Sequence, residues 1–113
     1  MTTVTLAVCS REETNRRVLQ AFEGEAQEPV ISFESHELLW KTLTLKRWQL
    51  LQAMTGAGPM TIREAARRVK RDVKGVHGDA IALVNAGLLV KTEGGKILFP
   101  YDAIHVDFVI KAA

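Results

Sequence analysis

The sequence predicts an α+β protein: a winged helix-turn-helix with an extra N-terminal strand-helix and a C-terminal strand. Three observations predict it. Residues 61–69 and 73–86 each carry an apolar stripe at helical spacing, and the polar break Lys70-Arg71-Asp72 separates them. Residues 88–99 read as a β-hairpin turning at Gly94-Gly95. Residues 3–9 and 104–110 alternate apolar side chains with others, as half-buried strands do.

Each element has a local reason. In the first strand Val4, Leu6 and Val8 face one way, and Thr3, Thr5 and Ala7 the other. Ser10 opens a helix with Glu13 in capping-box position. Val18, Leu19 and Phe22 form its stripe, and Gly24 ends it. Residues 29–33 are a brief extended piece. Ser35 is the next N-cap, for a helix through Leu38, Leu39 and Trp40. Thr44 caps another, with Leu45, Trp48, Leu51 and Ala53 or Met54 on its core side. Trp40 and Trp48 sit at helical spacing among leucines, which predicts core positions.

Thr55-Gly56-Ala57-Gly58-Pro59 is a loop. Thr61 and Glu64 repeat the capping-box pattern. Ile62, Ala65, Ala66 and Val69 share one helix face, and the alanines allow a close approach to neighbours. Asp72 is the N-cap of the helix over residues 73–86, whose buried side is Val73, Val76, Ala80, Leu83 and Val84. Gly87 stops it. Tyr101-Asp102 turns the chain into the final strand, with Ile104, Val106, Phe108 and Ile110 on one face.

Residues 1–34 are expected to form the strand-helix extension, used for dimerisation, and 35–113 the DNA-binding domain with its C-terminal strand. Neither terminal strand belongs to a minimal winged helix, and each needs a partner. That partner is either the other terminal strand or the same segment of a second chain. A homodimer also supplies the two-fold symmetry that half-site recognition exploits.

The chain has 113 residues, one domain's worth. No apolar run approaches the roughly 18 residues of a membrane span, and no secretory layout opens the sequence. A lone cysteine, Cys9, excludes an intramolecular disulfide framework and fits a reducing cytoplasm.

The formal net charge is only +2, but it is unevenly placed. Residues 61–100 hold eight basic and four acidic side chains, a local +4, while the segments on either side are each −1. Positive charge concentrates where phosphate neutralisation requires it. The predicted DNA-binding residues are Arg63, Arg67, Arg68, Lys70, Arg71, Lys74, His77, Lys91 and Lys96. Of these, Lys70, Arg71, Lys74 and His77 are placed at the major groove. Arg63, Arg67, Arg68, Lys91 and Lys96 are placed at phosphates. Residues 67–71 also read simply as a solvated helix end favoured by its dipole. Their position between scaffold and reader helices favours backbone contact. Gly75 and Gly78 have two readings: close approach of DNA, or local helix weakness.

Catalytic chemistry finds no support. His36, His77 and His105 lack partners at metal-site spacing. No nucleophile elbow, Walker loop or dinucleotide fingerprint is present. The expectation is a non-enzyme without cofactor or metal.

Residues 31–107, about two-thirds of the chain, resemble a family of small transcriptional regulators of bacteria and archaea, winged helix-turn-helix proteins loosely akin to the MarR group. The matching pieces are Ile31-Ser32-Phe33-Glu34-Ser35, Leu43-Thr44 with Arg47, Leu50-Leu51, Gly58-Pro59 and Ile62-Arg63-Glu64-Ala65-Ala66-Arg67. They continue with Val69-Lys70-Arg71-Asp72-Val73-Lys74, Val76-His77, Asp79, Leu83, Gly87-Leu88 and Pro100-Tyr101-Asp102-Ala103-Ile104. The family carries longer polar residues where this chain has Gly75 and Gly78. The resemblance implies sequence-specific binding to double-stranded DNA and transcriptional control, here as a dimeric autorepressor. It also implies an alternative: an antitoxin that binds a partner toxin and autoregulates its operon. A third reading is a subunit that uses the same surface for protein contacts alone.

Overall fold

The computed structural model describes residues 2–8 and 29–107. The alternating segment Thr3–Val8 forms β1, with Val4 and Leu6 fully buried. It is the centre of a three-stranded sheet between β2 (Val30–Phe33) and β5 (Ala103–Asp107). Both pairings are parallel: Leu6 lies opposite Ile31 on one side and Val106 on the other. Parallel neighbours demand long crossovers. Residues 9–29 intervene on the β2 side, and all the described helices on the β5 side. The terminal strands thus pair with one another. The helix expected over residues 10–24, Cys9 and the end of the last strand at 108–110 lie outside the described residues.

Four helices follow β2. Ser35 caps α1 (His36–Thr42), its Oγ accepting from the Leu38 N–H at 3.2 Å. Thr44 caps α2 (Leu45–Met54), Oγ1 accepting from the Arg47 N–H at 3.3 Å. Thr61 caps α3 (Ile62–Val69), and Asp72 caps α4 (Val73–Asn85), as their side chains predict. Gly87, at φ 87°, turns the chain out of α4 in the left-handed region where glycine carries no Cβ penalty.

The hairpin is short. β3 (Val90–Lys91) pairs antiparallel with β4 (Ile97–Leu98), and Glu93–Gly95 makes the turn. Met60 and Ile97 exchange two backbone hydrogen bonds of 2.9 and 2.8 Å, which tie the hairpin to the start of α3. The result is α+β.

One apolar cluster joins both parts. Val4 and Leu6 of the sheet meet Leu39, Leu50, Leu51, Val76, Leu83, Leu88 and Phe99 in the same core. Burying a leucine-sized side chain contributes about 1.5–3 kcal/mol.

Three expected core residues lie elsewhere. Trp40 is 53% exposed, because seven-residue α1 buries only Leu39 and the next position turns outward. Leu45 is 71% exposed at the first turn of α2, and Leu50 takes an inward position instead. Val73, at the first turn of α4, is 45% exposed. Trp48 is partly buried against the core. Among the described residues, no helix is long and apolar enough to cross a membrane.

Candidate nucleic-acid interface

The connection between α3 and α4 is three residues long. Lys70 ends α3 in the left-handed conformation, φ 56° and ψ 49°, the only non-glycine with positive φ among the described residues. Its N–H and that of Arg71 satisfy carbonyls of the last turn of α3. Asp72 then opens α4: its Oδ2 accepts from the Gly75 N–H at 2.8 Å. That bond holds the Asp72 carboxyl below the usual carboxylate range. Lys46 on α2 lies near enough to add a smaller attraction. Lys46 is exposed and joins the basic surface at the start of α4. Nothing in the sequence of its own helix marks that proximity.

Arg71 does not point to solvent. Its side chain is 18% exposed, and Nη1 lies 2.8 Å from Oδ2 of Asp79. Asp79 Oδ1 accepts from Arg47 Nε at 3.0 Å. The expectation that Arg71 stands on the exposed side of the helix is thereby corrected. An acid two turns along α4 faces its guanidinium, and the two facing atoms, Arg71 Nη1 and Asp79 Oδ2, are both buried.

Arg67 and Arg68 also have a protein partner. The Glu64 carboxylate accepts from Arg67 Nε and Nη2 at 2.9 and 2.7 Å, and from Arg68 Nε at 3.1 Å. Hydrogen bonds from Arg67 first, then Arg68, hold the Glu64 carboxyl below its ordinary value. The capping box is therefore half made. The Thr61 hydroxyl accepts from the Glu64 N–H at 3.1 Å, but the Glu64 carboxylate serves the arginines. Both arginine side chains remain exposed, 77% and 42%, and surface ion pairs of this kind contribute little to stability.

The remaining predicted residues are exposed: Arg63 on α3, Lys70 at the turn, Lys74 and His77 on α4, Lys91 and Lys96 on the hairpin. A cleft of about 300 Å³ runs between α4 and the hairpin, bounded by Ile62, His77, Ile81, Val84, Lys91 and Thr92, among others. His77 and Lys91, distant in sequence, face this cleft together. Hydrogen-bond donors therefore stand on both sides of the cleft, His77 on α4 and Lys91 on the hairpin. A larger apolar hollow, about 620 Å³, is bounded by Trp40, Leu43, Thr44, Leu45, Trp48 and Val106 and contains none of the predicted basic residues.

A family model described as HVO_A0114 matches residues 42–106, which is 65 of the 113 residues. The matched span runs from the end of α1 into β5 and contains every predicted contact residue. No curated protein and no solved structure matches the chain.

Proposed function

The chain belongs to the HVO_A0114 family, and we propose that it is a winged-helix regulator of transcription. It binds double-stranded DNA sequence-specifically, as a homodimeric autorepressor of the cytoplasm rather than an enzyme. The observation that carries this reading is the joint exposure of Lys74 and His77 on α4, with Lys70 at its start and Lys91 across the cleft. In this reading α3 and α4 are the helix-turn-helix, and β3–β4 is the wing. Lys74 and His77 enter the major groove. Lys70, expected at the major groove, sits in the turn that ends α3 and is moved to the phosphates with Arg63, Lys91 and Lys96, and Lys46 is added to them. Arg67 and Arg68 reach phosphate by leaving Glu64.

The test is an anisotropy titration on the DNA upstream of the gene, at two salt concentrations, beside a random duplex. Tighter binding to the upstream DNA, weakening steeply with salt, is expected. Equal, salt-insensitive binding to both duplexes refutes the reading.

A second reading is favoured by a separate observation. Trp40 and Leu45, on α1 and α2, are 53% and 71% exposed and border the apolar hollow of about 620 Å³, a surface that suits a protein partner. There the chain is an antitoxin whose α1–α2 surface holds a toxin, with DNA binding for autoregulation. Co-purification with the product of an adjacent gene supports it; a chain that never retains such a product counts against it.

A further inference from the structure

The outward side of α4 carries Lys74, Gly78, Ile81 and Asn85 at i, i+4, i+7 and i+11, while Val76, Ala80 and Leu83 are buried on the other side. Two features of that outward side stand out. Gly78 is the first. It lies mid-helix, where glycine is a poor helix former. A Cβ there would meet nothing within 4 Å, and its backbone is not in the left-handed region. Neither packing nor conformation therefore calls for glycine. Gly75 differs: a Cβ there would lie 3.0 Å from Asp72 Oδ1 and 3.2 Å from Arg71 Nη2, so an added side chain would crowd the N-cap carboxylate.

Ile81 is the second feature. It is an apolar side chain one turn beyond Gly78 on a face otherwise polar or bare, and it is only partly buried, at the edge of the cleft to the hairpin. The guanidinium nearest the start of the helix, Arg71, is committed to Asp79. This face therefore has no free arginine to pair bidentately with guanine. Thymine displays one apolar group in the major groove, its 5-methyl.

Resting on α4 as the DNA-reading helix, we infer that α4 recognises a thymine methyl, with Gly78 as the notch that admits the base pair and Ile81 as the apolar contact. Without a Cβ at 78 the helix backbone comes closer to the base edges. Ile81 is then brought within van der Waals reach of the methyl. Lys74, one turn before the notch, and His77, next to it in the chain, supply donors to neighbouring base edges or phosphates.

The test starts from a duplex selected by the full-length protein from a randomised library. Each thymine in it is replaced in turn by deoxyuridine, which removes the methyl alone. Wild type is expected to lose roughly fourfold in affinity at one or two positions, the effect of about one buried methyl group. Ile81→Ala is expected to show no loss at those positions. Gly78→Ala, which keeps the fold, is expected to reduce the ratio of selected-site to random-duplex affinity while salt dependence persists. Wild-type binding that ignores every deoxyuridine replacement overturns the inference and leaves DNA binding intact. No salt-sensitive binding to any duplex overturns both.

Discussion

Arg47 on α2 donates from Nε to Oδ1 of Asp79 on α4, across 3.0 Å. The second oxygen of that carboxylate lies 2.8 Å from Arg71 Nη1. Arg47 Nη1 also donates to the carbonyls of Lys41 and Thr42 at 3.2 and 3.0 Å. One carboxylate therefore joins α2, the interhelical turn and α4, and Arg47 extends the tie to the end of α1. All three side chains are less than a quarter exposed. Removing the acid leaves two guanidinium groups poorly solvated. Asp79→Ala is expected to lower the unfolding free energy by roughly 2–3 kcal/mol, the scale of hydrogen bonds to charged groups. Urea unfolding measures it, and a wild-type midpoint would show that the carboxylate holds nothing.

Arg71 and Lys74 stand three residues apart and should behave as opposites. Arg71→Ala should cost stability, because its partner Asp79 is largely enclosed. Lys74→Ala should leave stability within about 0.5 kcal/mol, as exposed substitutions do. Its effect should fall on DNA: a loss on all sequences and a salt slope shallower by about one unit if the contact is to phosphate. Paired melting and titration data decide. An Arg71→Ala protein with normal stability and lost binding would reverse the assignment.

Lys70 holds φ 56° without being glycine. That conformation costs a side-chain-bearing residue about 1–2 kcal/mol. Lys70→Gly should raise stability by roughly 0.5–1 kcal/mol, since glycine's greater freedom when unfolded offsets part of the relief. Thermal melting in the absence of DNA reads this directly. A lower melting temperature would mean that the Lys70 side chain makes up the backbone cost.

The two glycines of α4 should respond differently to alanine. At Gly78 there is open space, and Gly78→Ala should stabilise by about 1 kcal/mol, the helix-propensity difference. At Gly75 the added Cβ would crowd Asp72 Oδ1 at 3.0 Å. Disturbing an N-cap costs about 0.5–2 kcal/mol, so the gain should vanish or reverse. Equal stabilisation at both sites would rule out the crowding.

Acid should weaken the start of α3 and of α4. Glu64 is held low by Arg67 and Arg68, and Asp72 by the Gly75 N–H. Depressed carboxyl values mean the folded state binds fewer protons than the unfolded one, so stability rises with pH. Their contribution is complete above the ordinary carboxylate range of about 4 and is lost as pH falls through the lower folded values. Asp72→Asn keeps a capping oxygen without the titration. Its melting temperature should therefore fall less steeply than wild type below about pH 4; parallel curves would exclude Asp72 from the acid response.

The sequence by itself determined whatever is settled within about four residues. Ser35, Thr44, Thr61 and Asp72 each accept from a backbone N–H three positions on, and all four are visible as caps before any fold is known. Helical stripes, the glycine stop and the hairpin turn are local in the same way. Only the tertiary structure decided what met across the chain. It gave Arg71 to Asp79, which Arg47 also meets, rather than to solvent, and Glu64 to two arginines rather than to its own cap. It joined β1 to β5, and it brought His77 to the same cleft as Lys91. The reason is physical: a cap is fixed by backbone geometry close by, whereas a charge, a strand edge or a tryptophan takes whichever partner packing brings nearest.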